Sequence, residues 1–333
     1  MSVNITKIVS GRGAKVSRLA AYGVLIIVLF LVPLFVKGPF YLHVMITTLI
    51  YIIAVSSLRT ITLSGQISIA HAAFMGIGGY TSAIMAKELG WTPWITMLLG
   101  ALMAMVIAVM VGYSFSRLRA LYFSMLSLFL GMGIVAVLGV LSKFTRGDAG
   151  LVGIPPLFAL SKTPYYYFFL ILTIASLLVL YRVEHSRIGT TWKTIAQSYL
   201  VASSVGINEA GFRILALAIG CFFAGLAGAG YAHYNTVLTI SNFSFIPSIN
   251  LLIYMLLGGA RSFAGPIVGT AVLVIVPEFI RGLQSYVPVI MGAIMLLVVF
   301  LMPNGVAGLL KQLGLRIRDF LWRQVAKNGK RSA

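Results

Sequence analysis

Residues 63–81 read LSGQISIAHAAFMGIGGYT, and this stretch places polar side chains inside a segment of membrane-spanning length. Gln66, Ser68, His71 and Tyr80 occur there among glycines, with no carboxylate. Polar side chains in a spanning segment either line the path of a polar solute or bond to neighbouring helices. Both interpretations stay open for each of the four residues.

The composition is that of a membrane protein, since 60% of the 333 residues are hydrophobic and 9% are charged. A spanning helix needs about 20 apolar residues. The sequence predicts an all-α polytopic membrane protein of about 8–10 transmembrane helices. The eighth and ninth candidate segments, 248–259 and 266–281, are short and meet at glycines, which is typical of a broken or re-entrant pair. The candidate segments are 19–36, 40–58, 61–86, 93–114, 120–141, 165–181, 212–233, 248–259, 266–281 and 286–302.

The basic residues predict the orientation, because Lys and Arg stay on the cytoplasmic side during insertion. With the N-terminus inside, 19 of the 25 Lys and Arg residues are cytoplasmic, so both termini are expected there. The chain then divides into a basic N-terminus (1–18), a transmembrane domain (19–310) and a basic tail (311–333). The net charge of +19 thus reflects the orientation of the chain in the membrane. We expect the tail to contact anionic membrane lipid, and we expect no nucleic-acid partner.

Several classes of chemistry have no support in the sequence. The chain has one cysteine, Cys221, and four scattered histidines, so we expect no metal site and no cofactor. No phosphate-binding loop of the G-x-x-x-x-G-K-[ST] type occurs, so we expect no ATP hydrolysis and no catalytic residue. Of the six acids only Glu278 falls inside a candidate segment, and nearby Arg281 favours a position at that segment's edge.

A cytoplasmic stretch between two candidate spans predicts an amphipathic helix over about residues 190–205. Its apolar residues recur at helical spacing, Thr190 or Thr191 suits the N-cap, and Gly206 suits the position past its end. Such a helix either docks into a groove of a partner protein or lies on the membrane surface. The apolar residues are Trp192, Ile195, Ala196, Tyr199 and Leu200.

Five motifs of one protein family occur in order and at matching spacing over about residues 45–310. The first is residues 64–80, similar to G-Q-x-S-x-G-H-A-x-F-x-G-x-G-A-Y, with Ala70 where the family usually has Gly. The others are residues 118–123 (L-R-G-x-Y-F), 145–155 (T-G-G-x-x-G-L-x-G-I-P), 257–269 (L-G-G-x-G-S-x-x-G-P-x-x-G) and 303–305 (P-x-G). In these five motifs the sequence resembles the LivM-like permeases of branched-chain amino-acid ABC importers.

The resemblance implies a multi-pass permease subunit in a bacterial inner membrane. It also implies four kinds of partner besides membrane lipid: a second, LivH-like permease, two ATP-binding-cassette ATPase subunits and a periplasmic solute-binding protein. The solute would be a branched-chain amino acid or a related amino acid or amide.

Three groups of residues are the candidate sites. Gln66, Ser68, His71 and Tyr80 are expected to line the solute path, because transit needs hydrogen-bonding groups without trapping charges. If 61–86 is one helix, Ser64, Ser68 and His71 share a face. The helix at 190–205 is expected to couple to the ATPase, and a loop to face the binding protein. The residues expected to couple to the ATPase are Trp192, Ile195, Tyr199, Leu200 and Gly206. The loop residues expected to face the binding protein are Gly147, Asp148 and Gly150.

Two functions of other classes stay open at this point. A stand-alone channel for a small neutral solute such as urea would also have an uncharged polar lining. It would have no use for a docking helix. A membrane enzyme would need an activated nucleophile or an acid-base pair, which no carboxylate or metal cluster supplies.

Overall fold

A computed structural model describes residues 28–33, 38–115, 120–158 and 161–279, with a few isolated positions besides. The predicted segments 19–36 and 286–302 therefore lie largely outside the described residues, as do the N-terminus and the tail. The described helices are α1 (Pro39–Thr62), α2 (His71–Glu88), α3 (Pro93–Phe115), α4 (Ala120–Val140), α5 (Ser142–Thr145), α6 (Lys162–Glu184), α7 (Arg187–Gln197), α8 (Tyr199–Ser204), α9 (Glu209–Asn235), α10 (Phe245–Gly258) and α11 (Ala264–Phe279).

The prediction of an all-α polytopic membrane protein is confirmed. Six of the described helical stretches have the length and apolar character needed to cross a membrane. They are α1, α3, α4 from Leu121, α6, α9 and the stretch Ile240–Gly258, which joins a 3-10 turn to α10. The predicted spans over 40–58, 93–114, 120–141, 165–181 and 212–233 correspond to five of them.

Helix α9 lies at the centre of the bundle and packs on α1, α2 and α3. Small residues make this possible, because a Cβ on Gly225 would lie 2.6 Å from Cβ of Ala104 in α3. A Cβ on Gly228 would overlap the backbone of Met75 in α2. Tight packing through small residues is how membrane helices associate, since lipid provides no hydrophobic drive between them. The lone Cys221 is buried in the same contact region.

The predicted helix over 61–86 is wrong at its beginning. Helix α1 ends at Thr62, residues 63–70 are not helical, and α2 begins only at His71. Gly65 has φ +81°, a left-handed conformation that ends a helix readily and that other residues rarely adopt. Ser64, Ser68 and His71 therefore do not share a helix face.

Helices α10 and α11 form the predicted short pair with a glycine corner. They have 14 and 16 residues and pack against each other. At the corner, a Cβ on Gly258 would overlap the backbone of Gly265, and a Cβ on Gly269 that of Tyr254. The two backbones thus approach too closely for larger residues.

A small sheet closes one end of the bundle, here called the sheet end. Strand β1 (Leu151–Val152) pairs antiparallel with β2 (Val237–Leu238). Beyond the sheet, His233 Nδ1 donates to Pro155 O at 2.7 Å, and Ser82 Oγ lies 2.8 Å from Nε2 of the same ring. These bonds fix the loop that follows β1 onto α2 and α9.

The opposite end, here called the Arg59 end, holds a buried ion cluster. Arg59 in α1 makes a two-pronged contact with Glu184 at the end of α6, with N–O distances of 2.5 and 2.9 Å. Lys193 in α7 reaches the same carboxylate at 3.2 Å. Arg59 Nε donates to Ala260 O at 2.9 Å, and its guanidinium lies 5.7 Å from the Phe263 ring centre. One arginine therefore ties α1 to α6 and to the corner between α10 and α11.

We expect Gly228→Ala to destabilise the protein, because its methyl group would enter the backbone of Met75. Overpacking of a tight interior costs about 1–3 kcal/mol. The measurement is the midpoint of thermal unfolding of the purified chain in detergent. Gly139→Ala is the control, since a Cβ there meets only Ile240 Cδ1, at 3.8 Å. Equal midpoints for the two variants would contradict this packing.

A second expectation concerns the ion cluster. Arg59→Met should cost about 3–5 kcal/mol, because it leaves the buried Glu184 carboxylate without its main partner. The double variant Arg59→Met, Glu184→Leu should regain most of that loss, apart from about 1 kcal/mol for the Ala260 carbonyl left without its donor. Thermal unfolding of both variants checks this. A double variant less stable than Arg59→Met alone would contradict this, because Glu184 would then stabilise the fold even without its arginine partner.

Candidate functional site

The non-helical stretch 63–70, here called the extended segment, buries every second residue. Ser64, Gln66, Ser68 and Ala70 are buried, whereas Gly65, Ile67 and Ile69 are partly exposed. Such alternation is typical of an extended chain, whose successive side chains point to opposite sides, and here it follows a turn at 63–65. The segment turns its polar side chains towards the protein, and its two isoleucines are partly exposed.

Serines of two other helices support the backbone of this region. Ile69 N–H donates to Ser127 Oγ at 3.0 Å, and Ser124 Oγ donates to Ile67 O at 2.9 Å. Ala72 N–H donates to Ser248 Oγ of α10 at 3.2 Å. Non-helical backbone within a membrane protein is tolerated only where protein groups or water satisfy it. We did not predict these serines from the sequence, although 124 and 127 share one face of an otherwise apolar helix.

Three of the predicted path residues lie together along this region. Gln66 Nε2, Ser68 Oγ and His71 Nδ1 are buried and have no hydrogen-bond partner among the described residues. The other ring nitrogen of His71 lies 2.9 Å from Ser57 Oγ and 3.0 Å from Ala54 O. Buried polar atoms normally have partners, so these three have spare capacity for water or a polar solute.

A small cavity lies beside the start of α2. Its volume is about 10 Å³, room for about one water molecule. Asn242 Nδ2 lies 3.4 Å from the Tyr231 hydroxyl at its edge, and Tyr51 also lines it. This cavity has no room for a larger solute, and its lining includes Ala72 and Met75 of α2 but not Gln66, Ser68 or His71.

Tyr80 is not part of this group. It lies further along α2, where its ring packs edge-on against Phe243 with centres 6.1 Å apart. Its hydroxyl donates to Leu238 O at 3.5 Å, near the sheet end. The structure thus brings together three of the four predicted path residues, and it places Tyr80 beside a different, larger cavity.

The predicted helix at 190–205 is two helices. The break is at Ser198, which has extended backbone angles and whose Oγ accepts from Val201 N–H at the start of α8. Helix α7 begins after Ser186, so neither Thr190 nor Thr191 is its N-cap. Gly206 follows α8 with φ +79°, the left-handed conformation expected of it.

The apolar residues predicted for coupling do not form one surface, because α7 packs its apolar face on this chain's own helices. Trp192 is 0% exposed and donates from Nε1 to Phe212 O at 2.7 Å, and Ile195 is 2% exposed. On α8, Tyr199 is 39% and Leu200 64% exposed. The interpretation of all four as one docking surface is therefore corrected.

Helix α7 also touches the extended segment. A Cβ on Gly65 would lie 3.2 Å from Cα and 3.4 Å from Cβ of Ala196. Lys193 on the same helix joins the Arg59–Glu184 pair. Glu184 is the last residue of α6, outside the predicted span 165–181, and it is buried. Because Arg59 and Glu184 are 125 residues apart, no local pattern in the sequence reveals their pairing.

The predicted binding-protein loop lies at the sheet end. Gly147, Asp148 and Ala149 form a 3-10 turn, and Gly147 and Gly150 have φ +56° and +79°. A Cβ on Gly150 would lie 2.9 Å from Leu238 O, so the loop packs closely on β2. Arg146, before the turn, also has a positive φ of 62°, which is unusual for a residue other than glycine.

Comparison with known proteins identifies the family. The sequence model of the family described as "Branched-chain amino acid transport system / permease component" matches residues 40–299. The chain is 26% identical to the permease protein LivM of Escherichia coli K12 over 287 residues, covering 78% of this chain and 68% of LivM. It is 25% identical to the permease protein LivH of the same organism, covering 77% of this chain and 90% of LivH.

LivM of Salmonella typhimurium is 25% identical, with the same coverage as its Escherichia coli counterpart. No solved structure matches the chain. The family match covers the helices, the extended segment and the connection α7–α8. The resemblance inferred from the five motifs is thereby confirmed, and this multi-pass membrane protein belongs to the family of permease components of branched-chain amino acid transport systems.

Proposed function

We propose that the chain is one permease subunit of an ATP-driven importer in a bacterial inner membrane. Its solute is a branched-chain amino acid or a related amino acid or amide. It works with a second, LivH-like permease, two ATP-binding-cassette ATPase subunits, which hydrolyse the ATP, and a periplasmic solute-binding protein. The similarity to both LivM and LivH supports this proposal, since both names describe permease proteins of one kind of transport system.

The observation that carries the proposal is an apolar surface on α8 and the residue after it, here called the α8 patch. Leu200, Val201 and Val205 are 64, 57 and 68% exposed, and Tyr199 lies beside them. The distribution of basic residues supports a cytoplasmic position for this end of the bundle. An exposed apolar patch in water is typical of a protein interface. A cytoplasmic ATPase subunit suits this position, whereas a stand-alone channel would have no use for the patch.

The solute path in this proposal passes the buried polar side chains of the extended segment and of the start of α2. Gln66, Ser68 and His71 supply a donor, a hydroxyl and a ring nitrogen without a fixed charge, which suits weak binding during transit. The room for about one water molecule beside Tyr51 corresponds to a closed state. Opening then requires the extended segment or the helices around it to move.

The contact between α7 and the extended segment offers a route for that movement. Helix α7 packs on Phe212 through Trp192 and on Gly65 through Ala196. A shift of α7 driven by the ATPase would therefore displace the backbone next to Gln66. At the opposite end, the turn with Gly147, Asp148 and Gly150 faces the periplasm and is the proposed contact of the solute-binding protein.

The variant Leu200→Asp, Val205→Asp should lose the ATPase subunits. Burying a carboxylate in place of an apolar anchor costs about 2 kcal/mol or more, which weakens binding about 30-fold. The measurement is co-purification of the ATPase subunits, with solute uptake in the same membranes.

Ser203→Asp is the control. It adds one carboxylate to an exposed polar position of α8 and should leave co-purification and uptake unchanged. An intact complex with normal uptake in the double variant would remove the coupling role of the α8 patch. Uptake by this chain alone in vesicles without ATP would indicate a channel instead.

Replacement of Gly65 tests the route from α7 to the path. Gly65→Ala should leave the ATPase subunits attached but uncouple them, so that ATP hydrolysis continues and most uptake is lost. The reason is that the new methyl group meets the Ala196 backbone at 3.2 Å. ATP hydrolysis and solute uptake are both measured with the assembled transporter in proteoliposomes.

Gly90→Ala is the matched control for this variant. Gly90 also has a positive φ, +67°, but a Cβ there meets no atom within 4 Å. Both variants carry the cost of about 1–2 kcal/mol for a left-handed residue, so only the Ala196 contact differs. Equal uptake in the two variants would show that this contact transmits nothing.

A further inference from the structure

A second, larger cavity lies between α2, α3 and α4. Its volume is about 500 Å³, well within the range of ligand pockets in proteins. Ile84 of α2, Ile107 of α3 and Leu130 and Val137 of α4 are among the residues that line it. Helices α3 and α4 hardly touch each other, so the cavity is open to the side between them. It runs from the middle of the bundle to the sheet end, where Phe144 and Thr145 line it.

The lining of this cavity is unsuited to a polar occupant. None of the described residues that line it is charged, and three of them carry hydroxyl groups. The Tyr80 hydroxyl donates to Leu238 O, and Thr145 Oγ donates to Leu138 O at 2.8 Å. The third hydroxyl belongs to Thr81. A zwitterion here would lack charged partners, and an apolar cavity does not hold water. Hydrocarbon is the occupant that fits.

Two basic residues stand at the sheet end of the cavity. Lys143 and Arg146 are exposed and flank the lining residues Phe144 and Thr145 in the chain. Arg146 adopts φ +62°, a strained conformation for an arginine, at a position where the family motif has glycine. The other described basic residues of this end donate to backbone carbonyls: Lys87 to Val152 O and Lys162 to Pro39 O. Positive charge beside a hydrocarbon cavity is complementary to the phosphate of a lipid.

We infer that this cavity binds one acyl chain of an anionic phospholipid from the leaflet at the sheet end, with Lys143 and Arg146 contacting its phosphate. The site is distinct from the polar path beside the extended segment, because the two are lined by different parts of α2. Its occupation by lipid does not depend on which solute the transporter carries.

The test is lipid binding to the complete transporter, purified in detergent, stripped of lipid and titrated with phosphatidylglycerol or phosphatidylcholine of the same acyl chains. Native mass spectrometry counts the lipids bound. We expect one tightly bound phosphatidylglycerol per chain, and phosphatidylcholine should bind more weakly. Gly133→Leu should abolish this binding, because Gly133 lines the cavity and a Cβ there meets no atom within 4 Å. Gly133→Ala, with the same backbone but little added volume, should retain it.

Arg146→Gly separates the headgroup contact from the fold. It relieves the left-handed conformation and should raise the midpoint of thermal unfolding, yet it should weaken phosphatidylglycerol binding about fivefold and leave phosphatidylcholine binding unchanged. Equal lipid counts in Gly133→Leu and the natural chain would overturn the site. Loss of the second permease from the Gly133→Leu complex, with lipid binding unchanged, would also overturn it, since a protein would then cover the cavity. Equal binding of both lipids would overturn the role of Lys143 and Arg146.

Discussion

Direct backbone contact between α2, α3 and α9 is the constraint on which the bundle depends. At Gly78 the backbone of α2 meets that of α9 at Gly225, and the Gly78 carbonyl meets α3 at Gly100. At Gly228 the same close approach occurs to Met75. Since lipid is as apolar as the helix surfaces, such van der Waals packing has to hold the helices together. The contacts between these three helices therefore have no room for large side chains. The helices form a rigid block and cannot slide along one another.

The parts suited to movement lie around that block and are held differently. The extended segment is supported by hydroxyl groups of α4, and α7 touches it through the small residues Gly65 and Ala196. Three buried polar atoms at this segment and the start of α2 have no partner among the described residues, so a rearrangement there would break few hydrogen bonds. A rigid block with such a segment beside it suits the change between closed and open states that the proposed function requires.

Apolar run length predicted most helices well, because lipid forces each crossing segment to satisfy its own backbone. It failed at residues 63–70, where the chain is apolar enough to look helical. A signal was nevertheless present: Ser64, Gln66 and Ser68 alternate with Gly65 and Ile67, which is the period of an extended chain. The amphipathic pattern of α7 and α8 was real as well. It identified an apolar face but not what that face packs on, and the chain itself covers Trp192 and Ile195.

The pairing of Arg59 with Glu184 also has a consequence for the synthesis of the protein. Glu184 leaves the ribosome 125 residues after Arg59, which takes about 6–25 s at roughly 5–20 residues per second. During that interval Arg59 lacks the carboxylate with which it pairs in the finished bundle, and an unpaired charge is favoured at the membrane surface. The contact between α1 and α6 through this pair can form only once α6 has been made. The ion pair therefore sets an order of assembly, in which the Arg59 end of α1 reaches its final contacts after α6 has been synthesised.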